Sequence, residues 1–168
     1  MSEDTRLWLI NAAVAATLLL AASAWLFWPE AEPVVVELES DPGCDLRAGP
    51  CELTAADGTR VRFGIEPRDI PVGQTLQLSV EIDGQPAERA AVDINGVDMD
   101  MGLRPYPLTS TDGRRFTGPG GLNFCSRGIM EWEARVKLRQ EDRELVAPFR
   151  FITVAPDPAL PTEQVQDR

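Results

Sequence analysis

The stretch from Met130 to Arg139, MEWEARVKLR, decides the fold of this chain. Apolar and charged side chains alternate along it, and the apolar ones are Met130, Trp132, Ala134, Val136 and Leu138. A period of two is the signature of a β-strand with one face buried in a core and the other facing solvent. The stretch therefore predicts the longest strand of a half-buried antiparallel sheet.

The same alternation recurs on both sides of this stretch. On its C-terminal side, the polar turn from Gln140 to Arg143 leads into a strand that returns along the core from Leu145 to Phe151. On its N-terminal side, Asp-Gly turns and a proline loop separate shorter strands, predicted at 61–65, 76–82, 90–94 and 115–117. Short strands at this spacing, without an amphipathic helix, indicate an all-β fold, an immunoglobulin-like antiparallel β-sandwich.

An uncharged run from Leu7 to Trp28, LWLINAAVAATLLLAASAWLFW, precedes the strands. As a helix it would be about 33 Å long, enough to cross the hydrocarbon core of a bilayer. Tryptophans lie near both of its ends, and Arg6 precedes it, which favours a cytoplasmic N-terminus. We therefore expect a cytoplasmic segment at 1–6 and a transmembrane signal-anchor helix at 7–28. The alternative is a cleaved signal peptide with Ala22-Ser23-Ala24 as its cleavage site.

The rest of the chain divides into three expected parts. Residues 29–42 are predicted to form a linker and 43–154 the exported sandwich, while 155–168, with prolines and no periodicity, is predicted to be a disordered tail. Whether the N-terminal run is a signal anchor or a cleaved signal peptide, the sandwich is exported across the membrane. We therefore expect a single-pass protein of the bacterial inner membrane, in contact with the bilayer, with its domain in the periplasm.

Composition excludes several classes of function. The chain of 168 residues has a formal net charge of −11, from 16 basic and 27 acidic side chains. This balance argues against nucleic acid as a partner, because such binding needs clustered Lys and Arg. The absence of histidine excludes Ser-His-Asp and Cys-His nucleophile systems and the common catalytic zinc sites. We therefore expect a protein that is not an enzyme.

Two of the three cysteines lie close together in the sequence. Cys44 and Cys51 bracket a short loop that contains the turn dipeptide Gly49-Pro50. In an oxidising compartment such a pair favours a disulfide bond. The alternative is a metal-binding pair, although such pairs usually have a closer spacing, as in C-x-x-C. We predict the disulfide bond, which leaves Cys125 outside it.

Sulfur-containing side chains in two segments form a candidate metal site. Met99 and Met101 share one face if their segment is extended, and Cys125 and Met130 lie in a second segment. Thioether and thiolate ligands without imidazole select a soft monovalent ion, above all Cu(I). We therefore predict a Cu(I) site formed by Met99, Met101 and Cys125, with Met130 as a further ligand.

Core packing is the alternative use of these side chains. Methionine commonly fills hydrophobic cores, and free cysteine is among the most frequently buried residues. Met130 begins an amphipathic strand, which is more typical of a core residue than of a ligand. An intermolecular disulfide is a third use of Cys125. If packing is their role, the protein is a metal-free structural or interaction module of a membrane complex.

The layout resembles the FixH-like and YtkA-like membrane-anchored proteins of bacteria. The resemblance rests on the single N-terminal span, the exported sandwich and the Met99-x-Met101 segment followed by Cys125. The patterns Cys44-x6-Cys51, Asp98-Met99-x-Met101-Gly102 and Cys125-x-x-Gly128-x-Met130-x-Trp132 are also similar to uncharacterised proteobacterial membrane proteins of the same layout. FixH-like proteins are associated with the assembly of respiratory oxidases that need copper. The resemblance therefore implies a periplasmic accessory protein with a respiratory oxidase or a copper-handling protein as its partner.

Overall fold

The protein is described here by a computed structural model, which covers residues 3–26, 33–98, 102, 105–122 and 129–154. The chain divides into two units, Met1–Glu32 and Pro33–Arg168. The first unit contains one helix, α1 (Glu3–Leu26), on which the large apolar side chains from Trp8 to Trp25 that the structure describes are exposed. No helix in the described ranges combines the length and the hydropathy that a membrane span requires.

The second unit is a sandwich of two β-sheets, which confirms the predicted all-β fold. Its strands in chain order are β1 (Val34–Glu37), β2 (Cys51–Thr54), β3 (Arg60–Glu66), β4 (Thr75–Asp83), β5 (Arg89–Gly96), β6 (Tyr106–Leu108), β7 (Arg115–Gly121), β8 (Ile129–Arg139) and β9 (Arg143–Val154). In the described part of the chain, one sheet has the order β1-β9-β8-β5-β6 and the other has the order β2-β3-β4-β7. The hydrophobic core lies between them.

The strand that contains the alternating stretch lies in the middle of the larger sheet. β8 pairs antiparallel with β5 on one side and with β9 on the other. From Met130 onward its apolar side chains are buried and its charged side chains are partly or fully exposed, as the period of two predicts. The prediction that it is the longest strand is wrong, because β9 has 12 residues and β8 has 11.

Three short strands depart from the sequence prediction. β1 lies within the segment predicted as a linker, and it pairs in parallel with β9, so the larger sheet is not purely antiparallel. β2 and β6 are also absent from the predicted set. Strands of three or four residues have too few positions for an alternation to be recognised, and pairing with a long neighbour decides their conformation. The predicted tail at 155–168 lies outside the described residues.

Arg143 ties together turns from both sheets at one end of the sandwich. Its guanidinium donates to the Asp57 carboxylate at 2.5 Å and to Gln140 Oε1 at 2.7 Å. The amide of Gln140, which is fully buried, donates to the backbone oxygen of Gln85 at 2.7 Å. These bonds link the β2–β3, β4–β5 and β8–β9 turns. This hydrogen-bonded end lies opposite the end at which β5 finishes and β8 begins.

We expect Asp57 to make the stability of the sandwich depend on pH. The backbone N–H of Thr59, and then the Arg143 side chain, lower the pKa of Asp57 from its ordinary value of 3.8 to about 2. A carboxyl group with a lowered pKa in the folded state stabilises the fold above its ordinary pKa, and this contribution is lost as the pH falls towards the folded-state pKa. Asp57→Asn should therefore lower the Tm at neutral pH, and its difference from the wild type should vanish between about pH 4 and pH 2.

Thermal unfolding followed by circular dichroism over this pH range checks the expectation. Asp142→Asn is the matched control. It removes an exposed carboxylate at the same end of the sandwich, and this carboxylate makes no ion pair in the described structure. The control should leave the pH profile of the Tm unchanged. A Tm difference for Asp57→Asn that stays constant down to about pH 2 would contradict this role of Asp57.

Candidate functional site

The two segments that carry the predicted ligands leave the sandwich at the same end, which we call the tip. The tip is the end at which β5 finishes and β8 begins. Gly96 is the register partner of Trp132, and the Val97 N–H donates to the backbone oxygen of Glu131 at 3.0 Å. This bond brings the start of the 97–105 segment beside the end of the 122–129 segment.

The other two ends of these segments also meet at the tip. The Tyr106 hydroxyl, at the start of β6, donates to the backbone oxygen of Gly121 at the end of β7 at 2.9 Å. The backbone oxygen of Leu122 accepts from the Gly73 N–H at 3.1 Å. Because β6 and β7 belong to different sheets, the Tyr106 bond closes the sandwich at this corner. All four described flanks of the two segments therefore gather at one end.

Only one of the four predicted ligands belongs to the described residues. Met99, Met101 and Cys125 lie outside them, so their metal-binding role stays a prediction. Met130 is 8% exposed and faces the core together with Trp132, two residues further along β8. This position agrees with the packing interpretation of Met130. Within the described residues, no three His, Cys, Asp or Glu side chains cluster as a metal-binding group.

The predicted disulfide bond is present. Cys44 and Cys51 are joined, with their Cα atoms 5.7 Å apart. Cys51 is buried at the start of β2, whereas Cys44 is half-buried and packs against the edge of the core. The bond therefore fixes the loop that connects the two sheets on the β1 and β2 side of the sandwich.

This loop forms one wall of a groove of about 490 Å³. The other wall comes from β8 and β9, and the groove is lined by Ser40, Asp41, Pro42, Cys44, Asp45, Arg47, Glu131, Arg150, Phe151 and Ile152. Asp41 and Asp45 accept backbone N–H bonds from Gly43 and Arg47 at 2.8 and 3.0 Å, which shape the loop. Arg150 is bonded to Glu133 at 3.0 Å. The groove thus combines three carboxylates with two guanidinium groups, one of which is already paired.

Exposed apolar side chains gather beside this groove. Four of them, which we call the apolar patch, are exposed by 39% (Val97), 68% (Ile129), 53% (Ile152) and 58% (Val154). Ile129 is the register partner of Val154, and Ile152 is the partner of Glu131. Further along the outer face of the same sheet, charged side chains pair instead, as in Arg135–Glu37 at 2.8 Å and Lys137–Asp93 at 3.3 Å. The tip therefore presents an apolar patch next to a charged region of the same sheet.

The apolar patch is absent from the sequence prediction, although the sequence contains a signal for it. Ile129 occupies a position of β8 at which the alternation calls for a polar residue, and Ile152 and Val154 do the same in β9. Only the pairing of β8 with β9 shows that these interruptions are neighbours.

These features define a class of protein. It is a two-sheet β-sandwich that has a disulfide bond within one loop and an exposed apolar and acidic surface at the tip. Comparisons of the chain with protein-family models, with curated proteins and with solved structures find no match. The function therefore has to be argued from the geometry of the tip and from the residues that flank it.

Proposed function

We propose that this protein is a membrane-anchored periplasmic accessory protein that binds Cu(I) at the tip and assists respiratory oxidase assembly or copper handling. The proposed ligands are Met99, Met101 and Cys125. One observation carries the proposal: the Val97–Glu131 backbone bond brings the flanks of the two ligand-bearing segments together. Residues that are remote in the sequence thereby become candidates for one site.

The chemistry of the tip supports a soft cation. Thioethers and a thiolate, in a chain without histidine, suit Cu(I) better than Zn²⁺ or Cu²⁺. Exposed carboxylates around the tip, among them Asp98 and Glu131, attract cations over longer distances. We propose Met130 as part of the supporting core and not as a primary ligand, because its side chain is enclosed between the sheets.

The proposal also includes the membrane anchor and the periplasmic location. The support is the uncharged run from Leu7 to Trp28, which ends in tryptophans on both sides. The disulfide between Cys44 and Cys51 adds to it, because such bonds persist in oxidising compartments such as the bacterial periplasm.

We further propose that the sandwich is immunoglobulin-like. In support, the order β9-β8-β5-β6 corresponds to the G-F-C-C′ order of a variable-type domain, and β3-β4-β7 corresponds to A-B-E. Two hallmarks differ: the buried Trp132 lies on the F-like strand, and the disulfide lies within one loop instead of joining the sheets.

A Cu(I) titration tests the proposed function. The full chain is titrated in detergent micelles with ascorbate as the reductant, in competition with a coloured Cu(I) chelator. Ascorbate keeps copper reduced while it leaves the Cys44–Cys51 disulfide closed. We expect the wild type to bind Cu(I) stoichiometrically, and Met99→Ala/Cys125→Ser to lose this binding, because two of three soft ligands are removed.

Two control variants separate the candidate ligands. Met130→Leu should retain Cu(I) binding, because it conserves volume in the core and removes no proposed primary ligand. Cys44→Ser/Cys51→Ser should also retain it, which shows that thiols of a reduced disulfide are not the ligands. The absence of binding by the wild type, or equal binding by Met99→Ala/Cys125→Ser, would refute the copper function.

The alternative function is a metal-free interaction module of a membrane complex. The exposed apolar patch at the tip favours contact with another molecule, because soluble surfaces rarely concentrate aliphatic side chains in this way without a binding role. A chain that binds no copper and still contacts a partner through this patch would have this function.

A further inference from the structure

We propose that the apolar patch and the adjoining groove form a docking surface for a protein partner whose contact face combines aliphatic side chains with Lys or Arg. The patch (Val97, Ile129, Ile152 and Val154) and the groove meet at Ile152 and Glu131, since Ile152 lines the groove and is the register partner of Glu131. The two features therefore form one continuous surface at the tip.

The apolar part of this surface matches the core of a protein–protein interface. Its four side chains are aliphatic and β-branched, so they lose little conformational entropy on binding. Ile129, Ile152 and Val154 project from the paired strands β8 and β9. Val97 directly follows β5 and is held beside them by its N–H bond to the Glu131 backbone oxygen. The groove beside them offers a cavity into which a single side chain of the partner can insert.

The charges around the surface specify a basic partner. Glu131 makes no ion pair within the described structure, whereas Glu133, two residues along the same face, is paired with Arg150 and Arg135. Asp41, Asp45 and Glu131 line the groove, and Asp98 is exposed next to Val97. These carboxylates outnumber the guanidinium groups of the groove, which belong to Arg47 and to Arg150, already paired with Glu133. A Lys or Arg of the partner would therefore meet an unpaired carboxylate at the centre of the surface.

The same charges argue against two other occupants. A second copy of this chain would place Glu131 and Asp98 near their own counterparts, and each copy has a net charge of −11. An anionic lipid surface would be repelled by the same carboxylates. A basic protein face is the occupant that satisfies both the apolar and the charged parts.

This inference does not rest on the proposed copper function, although the surface adjoins the segments that carry the proposed ligands. A partner docked at the tip would contact the described flanks of the two segments that carry Met99 and Cys125 in the sequence. The test is carried out without metal, so that failure of docking and failure of copper binding are separate results.

The test measures binding of a synthetic peptide to the full chain in nanodiscs of zwitterionic lipid, by fluorescence anisotropy. Nanodiscs are used because free detergent would cover the apolar patch. The probe is a soluble peptide in which Arg and Val alternate, and the matched probe carries Glu in place of Arg. We expect the Arg peptide alone to bind, and its affinity to fall as salt is added.

Two variants and two matched controls locate the binding site. Ile129→Ser/Ile152→Ser removes half of the patch, and Glu131→Lys reverses the central charge. Each variant should raise the Kd for the Arg peptide about tenfold. Val34→Ser/Val35→Ser removes exposed aliphatic side chains from β1, and Glu88→Lys reverses an exposed charge elsewhere. Both controls should leave the Kd within about twofold of the wild type.

Several results would overturn the docking surface. They are failure of the Arg peptide to bind, equal binding of the Glu peptide, or equal weakening by the tip variants and their controls. If the full chain binds to added anionic vesicles and Ile129→Ser/Ile152→Ser abolishes this binding, the tip is a lipid-binding surface instead. If the chain self-associates in sedimentation experiments and the same variant abolishes this self-association, the tip binds a second copy of the chain instead.

Discussion

Replacing Trp132 by alanine is expected to lower the free energy of unfolding of the sandwich by about 3–5 kcal/mol. Trp132 is the largest fully buried side chain among the described residues, and it lies on β8, between β5 and β9 in the larger sheet. The alanine variant would leave a cavity that rigid paired strands on both sides cannot close. Urea denaturation, with the midpoint and the m-value fitted separately, measures the change.

The indole N–H of Trp132 contributes a separable part of this effect. It donates to the Thr153 hydroxyl at 2.8 Å, and both groups are buried. Trp132→Phe keeps most of the apolar volume but leaves the hydroxyl without this donor, at an expected cost of about 1–3 kcal/mol. Trp132→Phe/Thr153→Val removes both polar groups and should be more stable than Trp132→Phe alone. If Trp132→Ala costs less than about 1 kcal/mol, Trp132 does not have this central role in the core.

Loss of the Cys44–Cys51 disulfide is expected to lower the free energy of unfolding by about 2.5 kcal/mol, because the bond closes a short loop and restricts the unfolded chain. The bonded cysteines are separated by 7 positions in the sequence. Cys44→Ala/Cys51→Ala, and the wild type in a strong thiol reductant, should show the same reduced stability in urea.

The reductant itself provides the control for the disulfide experiment. The stability of Cys44→Ala/Cys51→Ala should not change when reductant is added. Cys125→Ser should behave as the wild type does in both conditions, since Cys125 is not part of the bond. If the reductant leaves the wild-type midpoint unchanged, the bond contributes nothing measurable to stability.

The sequence alone predicts the long strands of the sandwich well, because each carries its own periodic signal. The alternation in β3, β4, β5 and β8 follows from the local requirement that one face be buried. The disulfide could also be predicted, because its two cysteines are close in sequence. β1 could not be predicted, because it exists only through parallel pairing with β9, near the other end of the domain.

For the candidate site, too, some features follow from the sequence and others only from the tertiary structure. The sequence by itself determined the chemical types of the proposed ligands: soft sulfur atoms in Met99, Met101 and Cys125, and no imidazole to compete with them. It also indicated that Met130 is a better core residue than ligand, since residue spacing along one strand is a local property.

Only the tertiary structure decided which segments meet. The Val97–Glu131 bond and the Tyr106–Gly121 bond bring distant parts of the chain to the tip, and the pairing of β8 with β9 turns scattered aliphatic residues into the apolar patch. The physical reason is that alternation determines which face of a strand is buried, whereas strand order and register determine which residues become neighbours across the sheet.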